Sequence, residues 1–146
     1  LQDAGDAAGA EAAYREALRT EPSYAPAAIH SNLGMLHAAA GRHDEALSES
    51  HAAAALAPTN ADVLYNLGNV LMGADAAGEA VSAFSRALRA VPRHAPSLHN
   101  LGILENHLGR TSEARARFRA ALARRRHGRG PGGCGAACRR WRPSYS

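Results

Sequence analysis

Asn32, Asn66 and Asn100 recur at a fixed interval, each number 34 above the last. A side-chain amide both donates and accepts hydrogen bonds, so a regular row of amides suits the repeating backbone of an extended peptide. Asn69 is counted with them as a candidate peptide-binding residue. The alternative is that these amides tie helices to one another or face solvent. The 8 histidines invite a metal site, but the pattern speaks against one. His30 and His37 share a helix face where large side chains pack, and His99 and His107 lie on one helix without an i, i+4 pair. No three or four ligands converge at the spacings that zinc uses. Cys134 and Cys138 have His127 as one further candidate ligand and no second, so they read as unpaired thiols. The chain before them holds no cysteine, and the redox compartment is not legible. No serine or cysteine has a base and an orienting acid beside it in any nucleophile motif. The run Gly128-Arg129-Gly130-Pro131-Gly132-Gly133 follows no strand and opens no helix, so it is no phosphate loop. Nothing points to a cofactor, a metal or a small-molecule substrate, and no catalytic residue emerges.

The elements that must position the asparagines follow from the same interval. Gly34, Gly68 and Gly102 each stand two places after an asparagine, and Ala46, Ala80 and Ala114 stand twelve places after the glycines. Ser50, Phe84 and Phe118 stand sixteen places after them, and Pro58 and Pro92 twenty-four. Such a period, with small and apolar residues in phase, is the mark of a stacked helical hairpin. The pattern predicts helices over Ala27–Ala40, Asp44–Ala57, Ala61–Met72, Ala76–Ala90, Ala95–Leu108 and Thr111 to about Arg125. Asp44, Thr111 and Ser112 can cap helix starts by accepting backbone amide bonds. Ala10, Tyr14, Ala17, Leu18 and Pro22 match Ala80, Phe84, Ala87, Leu88 and Pro92, so Leu1–Tyr24 reads as the second half of a further unit. Leu1 then falls at the end of a preceding helix. With no initial methionine or charged-then-apolar leader, this predicts a piece of a longer protein.

Two irregularities stand out. Gly34 stands twelve places after Pro22, whereas Gly68 and Gly102 stand ten after Pro58 and Pro92. The difference predicts a longer loop or a helix starting near Pro26, where proline fits a first helical turn. Asp75 replaces the glycine of the other inner turns (Gly41, Gly109), which predicts a looser turn. The glycines let paired helices touch, with the alanines opposite them. Phe84 and Phe118 are expected to fill the wedge between hairpins, leaving the second unit, with Ser50, underpacked and tolerant of Ser50→Phe.

These offsets resemble the tetratricopeptide repeat across residues 1–126, in units of about 1–26 (partial), 27–60, 61–94 and 95–126. The resemblance implies an all-α, right-handed superhelical solenoid of three full hairpins and a partial one. It also implies a protein-binding scaffold whose first helices line a concave face. A residue two before the glycine lies about 200° round the helix from it, which would put the asparagines on that face. The asparagine row is similar to the lumen of O-linked N-acetylglucosamine transferases, and the repeats also look like those of membrane-anchored tetratricopeptide mannosyltransferases. Either likeness implies a substrate-reading segment whose catalytic region is elsewhere. The compartment is expected to be cytoplasm or nucleus, or the endoplasmic reticulum lumen for a mannosyltransferase. The carboxylate-clamp kind of repeat fits badly: of Ser31, Met35, Asn66, Pro96 and Asn100 at its five places, only Asn66 matches.

Charge divides the chain. Residues 1–123 carry 10 arginines and 13 acids; residues 124–146 carry 7 arginines and no acid. The array offers no basic stripe for a phosphate backbone. Residues 127–146 are Gly- and Arg-rich, with a composition that predicts disorder. That tail, with Trp141, could bind single-stranded RNA by charge and stacking, against a simpler solubilising role. No apolar run is long enough to span a bilayer. The 35 alanines favour closely packed helices, and the absence of lysine reads as a bias of the coding sequence.

Overall fold

The computed structural model describes residues 2–109, together with Ala116 and Arg119, both helical. Thr111, Ser112, Ala114, Phe118, the helix predicted from Thr111 and the tail otherwise lie outside the described residues. Six helices follow in order: α1 (Gln2–Thr20), α2 (Pro26–Ala39), α3 (His43–Leu56), α4 (Ala61–Gly73), α5 (Ala77–Ala90) and α6 (Ala95–His107). Among the described residues there is no strand. Helices α2 and α3 form one antiparallel hairpin, and α4 and α5 the next; α3 packs on α4, α5 on α6, α2 on α4, and α1 on α2. The result is an all-α solenoid, as the regular period predicts.

The prolines set the breaks. Helices α1, α3 and α5 each end two residues before Pro22, Pro58 or Pro92, because proline disfavours helix in the residue before it. The two extra residues before Gly34 divide between loop and helix. The α1–α2 loop has five residues instead of four, and α2 starts eight residues before its glycine instead of seven. Pro26 takes the first position of α2, and Ala25 before it is left-handed, at φ 42°.

Several expectations need correction. Helix α1 runs unbroken from Gln2 to Thr20, and Leu1, expected at the end of a preceding helix, lies outside the described residues. The Asp75 turn is not looser: Asp75 has φ 58°, close to Gly41 at 74° and Gly109 at 72°. The Ala76 amide bonds the Leu71 carbonyl as the Arg42 amide bonds that of His37. A short polar side chain tolerates this conformation better than most. Asp44 caps nothing. It lies in the first turn of α3, whose N-cap is Arg42 without a side-chain bond. Two caps that the sequence reading missed are Asn60, whose side chain accepts from the Asp62 and Val63 amides, and His94, which accepts from Ser97.

Packing inside the hairpins also differs from expectation. Phe84 lies against Gly68 of its own hairpin, and a β-carbon on Gly68 would collide with the ring. The ring is buried in a core with Leu64, Leu67 and Leu101. At Gly34 the space is closed by backbone. A β-carbon there would meet the Ala46 carbonyl and the Ser50 amide nitrogen at 3.2 Å, and would collide with Ser50 Oγ. The second unit is therefore not underpacked, because α2 and α3 draw together over the small residue. Gly102 has the same place on α6, but the helix that would face it lies outside the described residues.

Candidate asparagine track

Tyr14, Asn32, Ser31, Asn66, Asn69 and Asn100 form a track across successive helices. Asn32 Nδ2 donates to Tyr14 Oη on α1 at 3.3 Å. Asn66 Nδ2 donates to Ser31 Oγ on α2 at 2.9 Å, and Asn100 Nδ2 donates to Asn69 Oδ1 on α4 at 2.6 Å. Each amide therefore reaches back to an earlier helix of the stack. One N–H of each is thus used inside the array, tying helices together as the alternative reading of the amides has it. The sequence could have hinted at this, since Ser31 and Asn69 flank the same stripe. The second N–H and the carbonyl oxygen of Asn32, Asn66 and Asn100 take part in no bond among the described residues. Asn32 is exposed, and Asn66, Asn69 and Asn100 are half-buried.

Three residues after Asn32, Asn66 and Asn100, on the same helix face, stand Met35, Asn69 and Ile103. Met35 and Ile103 are large apolar side chains left 37% and 39% exposed. The six residues are thus amides and two apolar side chains; Asp62, four residues before Asn66, is the charged neighbour on that helix.

Three of the described histidines, His94, His30 and His37, lie beside acidic side chains. His94 Nε2 lies 2.9 Å from Asp62 Oδ1, and Nδ1 lies 2.7 Å from Ser97 Oγ. The sequence reading missed this serine–histidine–aspartate alignment, whose members come from two units. Its exposure is the reverse of what a hydrolase needs. Ser97 is 0% exposed, so no substrate reaches its hydroxyl, while the Asp62 side chain is 86% exposed. The Ser97 amide also donates to Nδ1. The group is a helix cap, and the His94 ring packs edge-on against Tyr65, which in turn contacts Phe84. His30 Nδ1 meets Glu49 Oε2 at 2.6 Å between α2 and α3. His37 is buried, with Nδ1 4.0 Å from Glu45. Among the described residues no group of three or more histidine, cysteine, aspartate or glutamate side chains could hold a metal ion. None of the described helices is long and apolar enough to cross a membrane.

A charged cluster fastens α1 to the rest of the array. Glu11 Oε2 accepts from Arg42 Nη2 at 2.8 Å, and Glu11 Oε1 pairs with Arg15 Nη2 at 2.9 Å. The Arg42 hydrogen bond, with help from the Arg15 charge, holds the Glu11 carboxyl below its ordinary range.

Two family models, both described as tetratricopeptide repeat, match residues 1–61 and 59–127. The chain belongs to the tetratricopeptide-repeat family. Solved structures agree on the fold of this tetratricopeptide array. A crystal structure of MamA is 23% identical, with a TM-score of 0.69 over 84% of this chain and 70% of that one. MamA from Desulfovibrio magneticus is 20% identical, with a TM-score of 0.70 over 89% of this chain and 72% of that one. A tetratricopeptide repeat protein from Parabacteroides merdae is 24% identical, with a TM-score of 0.73 over 87% of this chain and 50% of that one. A comparison with curated proteins found no match. Tetratricopeptide domains bind proteins or peptides and are typically scaffolds without catalysis; nothing in the described residues indicates a reaction.

Proposed function

We propose that the array holds an extended peptide, or an extended segment of a partner protein, along Asn32, Asn66, Asn69 and Asn100. The observation that carries this is the hydrogen-bonded track itself. Its internal bonds fix the orientation of each amide and leave a carbonyl and one N–H of Asn32, Asn66 and Asn100 for a ligand backbone. Fixed side chains lose less freedom on binding than loose ones do.

The test is a binding isotherm for wild type and the Asn32→Ala/Asn66→Ala/Asn100→Ala variant against a panel of extended peptides, with helix content followed by circular dichroism. A neutral hydrogen bond contributes about 0.5–1.5 kcal/mol net. The triple variant should therefore bind roughly 10- to 1000-fold more weakly across the panel while remaining helical, with little dependence on salt. Equal affinity with an intact fold would contradict the reading.

The asparagine row also supports a second reading, as the substrate-recognition segment of a glycosyltransferase. Membrane spans or a nucleotide-sugar domain in the flanking gene sequence would decide for it.

A further inference from the structure

We infer that the ligand of this track is an uncharged extended peptide with two apolar side chains six residues apart, seated on Met35 and Ile103. The inference rests on the proposed peptide reading and names the class of peptide. Met35 and Ile103 are large apolar side chains left over a third exposed, each three residues from an asparagine of the track. Between them the equivalent position is Asn69, whose Oδ1 is already taken by Asn100. The order along the groove is therefore apolar, polar, apolar. Met35, Asn69 and Ile103 carry no charge, and Asp62, four residues before Asn66, is paired with His94, so a charged ligand side chain seated on Met35 or Ile103 would lose hydration without gaining a counter-charge.

The spacing follows from helix packing. Helix α2 packs on α4, and packed helices lie about 8–10 Å apart; α4 and α6 are bridged by the Asn100–Asn69 bond, to which a second step of about 8–10 Å is assigned. Two such steps separate Met35 from Ile103, or about 16–20 Å. An extended chain advances about 3.3 Å per residue and a polyproline-type chain about 3.1 Å, so six residues cover about 19–20 Å. Six is also a multiple of both repeats, two for a strand and three for polyproline, so both side chains then project to the same side.

The probe is a capped nonapeptide with leucine at its second and eighth positions and serine, asparagine and glutamine elsewhere. Its control has the same composition with the leucines at the fourth and sixth positions. Isotherms should show the widely spaced peptide binding roughly three- to tenfold more tightly, the range expected for covering two partly exposed side chains. Met35→Asn or Ile103→Asn should each remove that advantage; both residues are surface side chains, and the melting temperature checks the fold. Equal affinity for the two peptides, with both weakened by the triple asparagine variant, would overturn the two-anchor inference and leave the amide track standing. No binding of either peptide by the wild type would overturn both.

Discussion

At the scale of single residues, the backbone departs from the repeat at two left-handed positions held by non-glycine residues. Ala25 has φ 42° and Asp75 φ 58°. Such conformations cost an L-residue about 1–2 kcal/mol, less for aspartate, whose side chain bonds locally. Glycine removes that cost but adds about 0.5–1 kcal/mol of unfolded-chain freedom. Ala25→Gly should therefore stabilise by about 0.5–1 kcal/mol, and Asp75→Gly by less, as denaturant midpoints will show. The asparagines were legible as a row because a fixed period needs only counting. Their partners were not, because Ser31, Tyr14 and Asn69 become neighbours only when hairpins stack. The Asn60 and His94 caps were missed for different reasons. Asn60 is a common capping type whose role depends on where α4 begins, while His94 caps through a ring nitrogen that no propensity scale rewards.

At the scale of helices, Gly34 and Gly68 each act as a pair with the residue sixteen places later. Gly68 makes room for Phe84, whereas Gly34 and Ser50 let the two backbones close in. Period alone shows which positions meet but not how far the helices then approach, and this is why the underpacking expectation failed. Ser50→Phe puts a ring where α2 and α3 backbone already touch. It should destabilise by about 1–3 kcal/mol, the usual range for overpacking. Phe84→Ala empties a filled site and should cost about 3–5 kcal/mol. Thermal melts of the two variants check both. Restoring glycine-sized space does not rescue Ser50→Phe, because Gly34 already is glycine; a stable Ser50→Phe protein would mean that α2 and α3 can separate without loss.

At the scale of the whole molecule, the array is a sum of units and interfaces, and the contact of α1 with the rest includes an ion pair. Glu11 binds Arg42 from α1 to the turn before α3. Its carboxyl is held below the ordinary 4.5 by that bond. A carboxyl lowered in the folded state contributes stability above its unfolded value and loses it as pH falls through the lowered one. The protection of α1 amides, measured against the intrinsic exchange rate at each pH, should therefore fall on acidification below about 4.5 in the wild type. Glu11→Gln should show lower protection already near neutral pH and less change with acid. The solenoid itself was legible in outline from the glycine, alanine and proline phases.

The central claim is that the asparagine track meets a ligand backbone. Side-chain amide resonances of Asn32, Asn66 and Asn100, followed by nuclear magnetic resonance while the nonapeptide is added, test it most directly. The account predicts that all three pairs shift together along one saturation curve, while the Asn60 side-chain amide, which serves as a helix cap, stays still. Peptide binding that moves other residues and leaves the three asparagine pairs unchanged would contradict it.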